Sequence, residues 1–563
     1  MKMKVRFSVA AVLAAFAVGA AEVPFCALRS GAGVVSPENW PKVREALAAN
    51  PGAFDEIWFS TGITYPPLDW HREQSRRCAD AAEDLKKLDI VASLEIQMTI
   101  GHGDGVGANR DDRALDWQRW VGWDGTAARV CSCPRAPGLR DYFRSVAAIY
   151  AGWHPGCIWI DDDLRMNNRA PSKGSPNRPG CWCPSCLAAF SETEGKAWTR
   201  ETLLAAIAGG DAALEGRWRA FQAQGLAALA KAIAEEVRRV SPETVMGSEF
   251  GGGIPEVIRA LHVGSGRKVR VRPGAGCYWD TNPHQQISKA HYVAEQILKL
   301  GCDEIVEAVI PETETCPRTF SCRTPQGVVL EAFEHLACGA DALSLFVADT
   351  RMGEDWNFYR DRMFRRIAAA RGFLSGYRRA NEGTIPCGFT VEGGPQDLVA
   401  CRGIPIVTGR AKALGPLPDI RAIPVRGGGA VWQARGLHPD TLAMQMAAGP
   451  DLMAFAKRAD ESCGNGTPVM FAAPVMAWVQ PRVSPDGRLR TVAVLNASID
   501  VQEPVRVRLR GVPEGSSVEW RPLHGAAAVL AQSREGAEVS VELPAIPAWD
   551  CGYVFIAKEE CHE

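Results

Sequence analysis

The chain has 563 residues, of which 46% are hydrophobic and 23% charged, and its formal net charge is −2. This composition is that of a globular protein, and the length is sufficient for a large barrel with one or two smaller domains. The balanced charge gives no electrostatic reason to expect nucleic acid or an anionic membrane surface as a partner.

The amino terminus has the pattern of an export signal. A basic segment, residues 1–6, leads into an apolar run, residues 7–21, that ends in small residues. This pattern predicts a signal peptide over residues 1–21. Because no later apolar stretch is long enough for a membrane helix, we expect a soluble, exported protein that is periplasmic or secreted.

Short apolar runs alternate with longer amphipathic segments over residues 22–380, which is typical of a parallel βα architecture. The predicted strands are 23–28, 56–60, 90–97, 157–161, 245–250, 269–278, 304–309 and 342–346. The predicted helices include 40–49, 72–88, 139–150, 212–240, 284–300, 325–338 and 359–375. Eight such units predict an α/β protein with a (β/α)8 TIM barrel.

The pattern changes after the barrel. Residues 381–464 are rich in Gly and Pro and contain only brief apolar runs, which predicts a small, reduced α/β or irregular domain. From residue 465 to 563, short apolar runs alternate with turn residues. We therefore expect a C-terminal β-sandwich domain over residues 465–563.

Several carboxylate and aromatic side chains fall at the carboxyl ends of predicted barrel strands, where TIM barrels assemble their active sites. They are Asp161, Asp162 and Asp163 after strand four, Glu249 in strand five, Trp279 and Asp280 after strand six, and Glu307 in strand seven. We expect these side chains to converge on one pocket.

Strands four and seven lie across the barrel mouth from each other, so their carboxyl groups can flank a glycosidic bond. Glycoside hydrolysis requires such a pair, one group to protonate the leaving oxygen and one to attack the anomeric carbon or activate water. Three adjacent aspartates also repel one another, which favours a protonated acid. The alternative for part of the cluster is a structural role, as a helix cap or as a partner of Arg165.

Closely spaced cysteines predict a second kind of site. Cys181, Cys183 and Cys186 lie within one turn-sized segment, and Cys133 can supply a fourth thiolate for tetrahedral zinc. Such a site would be structural, and no catalytic cofactor is expected. Disulfide bonds among these residues and Cys131 are the alternative, which an exported location favours.

Five short segments together resemble glycoside hydrolase family 42, the β-galactosidases of clan A. Residues 133–140 are similar to the family's Cys-Pro-x-x-Pro-x-x-Arg segment, and residues 181–190 to its Cys-x-Cys-x-x-Cys-x-x-x-Phe segment. Between them, the triplet Asp161–Asp162–Asp163 takes the place of the family's Asp-Asn-Glu. Residues 306–307 and 339–342 resemble its nucleophile strand and the lead-in to strand eight.

The resemblance implies a retaining mechanism with a covalent glycosyl-enzyme and, in the family, cysteines that can bind zinc. It assigns the acid/base position to Asp163, the nucleophile position to Glu307, and the sugar-contacting Asn position to Asp162. Asp163 is one methylene shorter than the family's Glu, which withdraws the donor by about 1 Å. Glu249 is the alternative proton donor.

We therefore expect an enzyme, an O-glycosyl hydrolase of oligosaccharides or polysaccharides, with β-galactosidase activity as the leading hypothesis. Two alternatives remain: a glycosidase with another catalytic pair or an inverting mechanism, and a catalytically inactive barrel that binds sugars. The family carries a trimerisation domain where this chain has the reduced middle segment, so the reduction argues against a trimer, and a homo-oligomer of unspecified size is the remaining expectation.

Overall fold

The computed structural model describes residues 23–102, 115–166, 178–250, 254–274, 276–280, 283–316, 318–319, 321–348, 355–391, 400–418, 420–424, 430–434 and 449–557. The predicted signal peptide, residues 1–21, lies outside the described residues.

A closed parallel barrel forms the first part of the chain. Its strands are β1 (Cys26–Arg29), β2 (Glu56–Ser60), β3 (Val91–Ile96), β4 (Cys157–Ile160), β5 (Val245–Phe250), β6 (Val269–Pro273), β7 in two parts (Val306–Val309 and Glu312–Glu314) and β8 (Leu343–Phe346). The first part of β7 pairs with β6 and the second with β8, which in turn pairs with β1. The barrel therefore closes through the interrupted strand β7, as the predicted (β/α)8 fold requires.

Helices surround the barrel. They are α1 (Trp40–Ala48), α2 (Leu68–Lys86), α3 (Pro137–Ala151), α4 (Pro184–Glu194), α5 (Arg200–Ala208), α6 (Ala212–Val240), α7 (Pro255–Ser265), α8 (His284–Leu300), α9 (Pro325–Ala337) and α10 (Arg365–Ala380), the last preceded by a π-helical segment (Tyr359–Phe364). A β-hairpin, Arg119–Val121 with Ala127–Ser132, lies between β3 and α3.

Alternation along the strands separates the two faces of the barrel wall. Ile158 and Ile160 of β4 pack outward in the large core shared with the helices, whereas Trp159 packs inward. The inner Trp159 ring stacks on Trp58 of β2, with ring centroids 4.1 Å apart. The deep barrel interior is therefore filled with side chains, and functional groups are left to the strand ends.

Two sheets form the C-terminal sandwich. The later elements are β9 (Ile385–Thr390), β10 (Lys412–Pro416), β11 (Ile420–Pro424), β12 (Ala430–Ala434), α11 (Gly449–Ser462), β13 (Val469–Phe471), β14 (Ala477–Val483), β15 (Leu489–Asn496), β16 (Val505–Arg510), β17 (Ser517–Pro522), β18 (Ala528–Val529), β19 (Gln532–Glu535), β20 (Glu538–Leu543) and β21 (Cys551–Ala557). One sheet has the order β10-β9-β14-β15-β21-β17-β18 and the other β13-β16-β20-β19. All their strand pairs are antiparallel except the parallel pair β9–β10. Val, Leu and Ile side chains of both sheets share one core.

The structure differs from the predicted division at residue 464. Strand β9 pairs with β14 and strand β10 with β9, so both belong to the larger sandwich sheet although they precede residue 465. A small separate core does exist here, in which Phe389 of β9 packs with Leu452 and Phe455 of α11. The middle segment is thus built onto the sandwich. Strands β9 and β10 complete a sheet formed mainly by later residues, whereas β11 and β12 pair with each other as a two-stranded antiparallel sheet.

The sandwich is joined to the barrel through polar contacts with α8 and α9. Arg482 of β14 donates to the main-chain oxygens of Leu336 and Ala337 at the end of α9, at 3.3 and 3.2 Å. The Trp478 indole nitrogen lies 3.1 Å from Nε2 of His291 in α8. Among the described residues, no helix has both the length and the apolar character that a membrane crossing requires.

Candidate active site

One arginine contacts most of the buried carboxyl groups at the carboxyl end of the barrel. Arg29, the last residue of β1, is 3% exposed, and its guanidinium lies within 4 Å of five carboxyl groups. These belong to Glu95 (2.9 Å), Asp161 (3.9 Å), Glu249 (2.9 Å), Glu312 (3.2 Å) and Glu314 (3.5 Å). We call these five residues, with Arg29 and Arg272, the mouth cluster.

Strand geometry explains why these residues meet. Glu95 is in β3, Asp161 follows β4, Glu249 is in β5 and Arg272 is in β6, so each side chain projects inward near its strand end. Arg272 Nη1 lies 2.6 Å from Glu312 and its Nη2 lies 3.5 Å from Asp161. Arg272 also pairs with Glu249. Two guanidinium groups thus connect carboxyl groups from opposite sides of the barrel.

Asp161 is held as an anion by cations on two sides. Burial alone would raise the pKa of Asp161, but the adjacent His102 and Arg29 hold it well below its usual range. His102 Nε2 lies 3.0 Å from Asp161, and although burial opposes it, this carboxylate raises the pKa of His102 to about 10. His102 is therefore an imidazolium at neutral pH.

The two carboxyl groups in the second part of β7, Glu312 and Glu314, differ in protonation state. Burial would raise the pKa of Glu312, but Arg272 and Lys289 lower it to about 2. Burial and the neighbouring Glu312 raise the pKa of Glu314 to about 8. At neutral pH the end of β7 therefore carries an anionic Glu312 beside a protonated Glu314.

Carboxyl groups on both sides of the mouth raise the pKa of the Tyr278 phenol. Glu312 is the largest cause of its raised pKa, and burial, Glu314 and Asp162 add to the rise. Asp162 is 28% exposed, and its carboxylate lies 2.9 Å from Arg165 and 3.8 Å from His102. A group bound beside Tyr278 would therefore face carboxyl groups from β4 and β7.

Glu249 and Glu95 are the remaining carboxyl groups of the mouth cluster, and their burial favours the protonated form of both. Burial raises the pKa of both groups, that of Glu249 well above its usual range despite Arg272 and Arg29. Oε1 of Glu249 is buried and has no hydrogen-bond partner among the described residues. Glu249, predicted as a substrate-binding residue, is thus at the mouth but deep within it.

Asp163 lies close to the mouth, and its carboxylate is hydrogen-bonded to main-chain N–H groups. Its carboxylate accepts hydrogen bonds from the Thr99 and Gly101 N–H groups, each at 2.6 Å, and from the Thr99 hydroxyl. The side chain is fully buried, and burial raises its pKa to about 6. In this structure Asp163 holds the segment after β3 in place.

The location of Glu307 corrects the expectation that it lies at the mouth. Glu307 is the second residue of β7 and pairs at 2.8 Å with Arg270, which is 4.0 Å from Glu56 at the start of β2. Glu312 is five residues further along, roughly 16 Å of extended strand. Glu307 therefore lies toward the amino-terminal end of the barrel, because the strand continues past the predicted end at residue 309.

Trp279 and Asp280 also have local partners. Asp280 accepts hydrogen bonds from the N–H and hydroxyl of Thr324, both at 2.6 Å, and so secures the start of α9. Trp279 is 49% exposed, and its indole nitrogen donates to the main-chain oxygen of Cys316 at 2.8 Å. Trp279 can offer a ring face to a ligand. The prediction that Asp280 converges on the pocket is corrected, because its carboxylate binds Thr324.

Sequence reasoning missed Arg29, Glu95, Arg272, Glu312 and Glu314. Signals existed for two of them. Glu95 and Arg272 are charged residues at alternating positions in predicted strands, where an apolar residue would be the norm. Glu312 was hidden by Pro311, which interrupts the ladder because proline has no N–H to donate.

A second cluster joins the four predicted zinc ligands. The sulfur atoms of Cys133, Cys181, Cys183 and Cys186 all lie within 4.8 Å of one another, and all four residues are buried. Cys133 Sγ is 3.5 Å from that of Cys186 and 3.8 Å from that of Cys183. Tetrahedral zinc with bonds of about 2.3 Å places its sulfurs about 3.8 Å apart. The donor set and its spacing thus fit a structural zinc ion.

Cys131 lies outside this cluster of four. Its sulfur is 3.6 Å from the main-chain oxygen of Gly101. The sulfur separations between Cys133 and its neighbours exceed the ~2.05 Å of a disulfide bond. All 17 described cysteines are thiols in this structure.

With the barrel and its mouth described, the class of fold is clear: the protein is a TIM barrel with an appended C-terminal β-sandwich. The same arrangement occurs in solved glycosidases. A β-galactosidase from Bacillus circulans sp. alkalophilus aligns with a TM-score of 0.53 at 12% identity, covering 95% of this chain and 99% of that one. A β-galactosidase from Rahnella sp. R3 gives 0.55 at 10% identity, with 95% and 98% covered.

An α-L-fucosidase, isoenzyme 2 from Paenibacillus thiaminolyticus, also aligns, with a TM-score of 0.52 at 11% identity over 92% of this chain and 96% of that one. No protein-family model and no curated protein sequence matches the chain. At these identities the shared property is the fold, which extends over nearly the whole length of each structure.

Proposed function

We propose that this protein is a glycoside hydrolase whose active site is the barrel mouth. The observation that carries the proposal is the meeting of Asp161, at the end of β4, and Glu312, at the end of β7, around the same two arginines. Carboxyl groups from these two strand ends are the arrangement that glycoside hydrolysis needs. The likeness in fold to β-galactosidases and an α-L-fucosidase supports the same class.

Glu312 is proposed to attack the anomeric carbon. Its low pKa keeps it ionised, and its contact with Arg272 fixes its orientation. A nucleophile must be a carboxylate at the place where the sugar binds, and Glu312 lies at the carboxyl end of the barrel, whereas Glu307 is paired with Arg270 toward the amino-terminal end.

The proton donor is proposed to be Asp162. The pKa of about 6 favours Asp163, but that carboxyl is fully buried and its oxygens accept three hydrogen bonds. A general acid must first reach the leaving oxygen, and only then does its pKa matter. Asp162 is the more accessible of the two, at 28% exposure.

With these roles the mechanism is a double displacement with retention, and a β-galactoside is the first substrate to test. The export signal and the four-thiolate zinc remain parts of the proposal. The zinc would tie α4 and the hairpin together, since Cys133 follows the hairpin and the other three thiols lie at the start of α4.

The experiment is a screen of the purified full-length protein against aryl glycosides of neutral and charged sugars, including β-galactosides and α-L-fucosides. We expect hydrolysis of at least one, with the product anomer, followed by NMR, matching that of the substrate. Initial release of the opposite anomer would replace the double displacement with inversion. A protein that binds sugars but hydrolyses none would instead be an inactive sugar-binding barrel.

Two single variants distinguish the proposed donors. Asp162→Asn should slow hydrolysis of natural glycosides severely while sparing aryl glycosides with good leaving groups, which need little protonation. Asp163→Asn should mainly lower the thermal midpoint, because the variant loses part of a buried acceptor set. The opposite pattern, with the leaving-group dependence appearing only in Asp163→Asn, would return the donor role to Asp163.

A further inference from the structure

The β-hairpin connects the four-thiol cluster to the mouth of the barrel. Cys133, one of the four thiols, directly follows the hairpin strand Ala127–Ser132. Ser132 and Cys131, the last two residues of that strand, contact residues 99–102, which we call the β3 segment because they follow β3. The β3 segment in turn contacts the aspartates after β4. Two pieces of main chain therefore separate the thiols from the mouth.

Both strands of the hairpin are held at the thiol cluster. The Cys133 N–H donates to the main-chain oxygen of Gln118 at 2.9 Å, just before the first strand. In that strand, the Val121 N–H donates to Cys181 Sγ at 3.5 Å, and the Val121 oxygen accepts from the Trp182 N–H at 2.8 Å. A zinc ion held by the four thiolates would fix this end of the hairpin, because metal–thiolate bonds add folding free energy where they form.

The hairpin strand packs directly on the main chain of the β3 segment. The Ser132 N–H donates to the Ile100 oxygen at 2.8 Å. Cys131 Sγ lies 3.6 Å from the Gly101 oxygen. Gly101 has a φ of +105°, and a Cβ added there would lie 3.2 Å from both Cα and Sγ of Cys131. Glycine permits this conformation and this close approach, so a shift of the strand is passed directly to the β3 segment.

On its inner side, the β3 segment holds two of the three aspartates that follow β4. Two main-chain N–H groups of the segment donate to Asp163, each at 2.6 Å. His102 Nε2 lies 3.0 Å from Asp161, and His102 Nδ1 lies 3.8 Å from Asp162. Asp162, the proposed proton donor, stands between the two held aspartates in the chain. Its position therefore depends on where the β3 segment lies.

The start of the β3 segment has an anchor outside the hairpin. The hydroxyl of the buried Tyr65 donates to the main-chain oxygen of Thr99 at 2.9 Å. The contacts with the hairpin begin one residue later, at Ile100. We therefore expect a loosened hairpin to release residues 100–102 and to leave β3 and Thr99 in place.

We propose that the zinc site is a positioning element for the mouth: by fixing residues 131–133 it fixes the β3 segment, which sets the positions of Asp161, Asp162 and Asp163. This role rests on the proposed function for the part played by Asp162, and on the proposed zinc ion. The metal takes part in no chemical step. A small shift is sufficient, because moving a catalytic group by about 1 Å can lower a rate by about a hundredfold.

The first measurement is hydrogen–deuterium exchange of the full-length protein, with bound zinc and after removal of zinc by a chelator, read by mass spectrometry. Amides of residues 100–102 should exchange at least about tenfold faster without zinc. Peptides from β8 and from β15 should exchange at unchanged rates. Unchanged exchange at residues 100–102, faster exchange throughout the barrel, or a protein that takes up no zinc would overturn the proposal.

Gly101→Ala separates the hairpin from the β3 segment without altering a thiol, because its Cβ would press on Cys131. This variant should bind as much zinc as the parent and show the fast exchange of the zinc-free protein. Gly415→Ala is the matched control, since Gly415 of β10 has a φ of +125° and a Cβ there would meet nothing within 4 Å. It introduces similar backbone strain and should leave exchange at residues 100–102 unchanged. Slow exchange in zinc-bound Gly101→Ala would contradict the coupling.

Hydrolysis distinguishes this role from the proposed function. In the zinc-free protein and in Gly101→Ala, kcat should fall at least about tenfold for glycosides with poor leaving groups, and much less for aryl glycosides with good ones, because a displaced Asp162 protonates the leaving oxygen poorly. An equal fall for both kinds of substrate would count against the proposal. If the parent hydrolyses no glycoside, the proposed function fails, and the exchange rates alone decide whether zinc positions the mouth.

Discussion

Arg272 and Glu312 form a buried ion pair, with Nη1 and Oε1 2.6 Å apart, that joins the ends of β6 and β7. The pair keeps Glu312 ionised in a site from which water is largely excluded. It therefore prepares a carboxylate for attack and predicts that this residue dominates turnover.

Glu312→Gln should reduce kcat by at least about a thousandfold, because an amide cannot form the glycosyl-enzyme. Glu307→Gln is the matched control on the same strand, and it should retain most of the activity since Glu307 contacts Arg270 away from the mouth. The measurement is kcat on the best aryl glycoside of the screen. Loss of activity in Glu307→Gln with retention in Glu312→Gln would restore the assignment based on sequence.

The contrast between these two glutamates shows where sequence reasoning reaches its limit. Strands β2 and β5 have the predicted bounds, and helices α6 and α8 begin and end as predicted. Their apolar periodicity is long and uninterrupted. Strand β7 is interrupted at Pro311. Glu312, the proposed nucleophile, lies beyond this break.

The four-cysteine cluster was predictable because its ligands lie in short motifs with fixed spacing. The mouth cluster was only partly predictable: Asp161 and Glu249 were found at strand ends. That Arg29 would contact five carboxyl groups depends on closing the barrel, which brings together residues nearly 300 positions apart. Asp163 was expected to be the catalytic acid, because hydrogen bonds from the main-chain N–H groups of Thr99 and Gly101 cannot be read from the sequence.

Glu314 should make stability depend on pH. Burial and Glu312 raise its pKa to about 8 in the folded protein, against about 4.5 for the free side chain. Between these values the folded state holds a proton that the unfolded state has released. The free energy of unfolding should therefore fall as pH rises through this window, by at most about 1.4 kcal/mol per pH unit from this group.

Glu314→Gln cannot lose that proton, so its stability relative to the unsubstituted protein should increase from pH 5.5 to pH 7.5. Urea unfolding of both proteins at several pH values measures the difference, and it cancels the contributions of other titrating groups. A difference that stays constant over this range would mean that Glu314 ionises normally.

The thiol cluster predicts one zinc ion per chain. Cys183→Ser should lower the zinc content measured by elemental analysis and the thermal midpoint, because three thiolates hold the metal less tightly than four. Cys131→Ser is the control, since Cys131 is two residues from Cys133 and outside the cluster. Absence of zinc in the purified protein, with disulfides among Cys133, Cys181, Cys183 and Cys186 in peptide mass spectra, would favour the alternative.

The inner wall of the barrel supplies the last prediction, which concerns stability alone. Gly247 of β5 pairs in register with Trp159 of β4, and a Cβ added at Gly247 would overlap the Trp159 indole, which itself stacks on Trp58. The ring is fully buried and cannot move aside without disturbing that stack. Gly247→Ala should therefore destabilise the protein by about 1–3 kcal/mol through overpacking.

Gly372→Ala is the matched control for the same change in chemistry. Gly372 lies on an exposed position of α10, and a Cβ there would meet nothing within 4 Å. Alanine is the better helix former by about 0.5–1 kcal/mol, so this variant should raise the thermal midpoint while Gly247→Ala lowers it. Scanning calorimetry of the two variants measures both signs. A Gly247→Ala protein as stable as the parent would mean that the tryptophan stack has room to shift, and that the barrel interior is less tightly filled than the Trp58 and Trp159 contact implies.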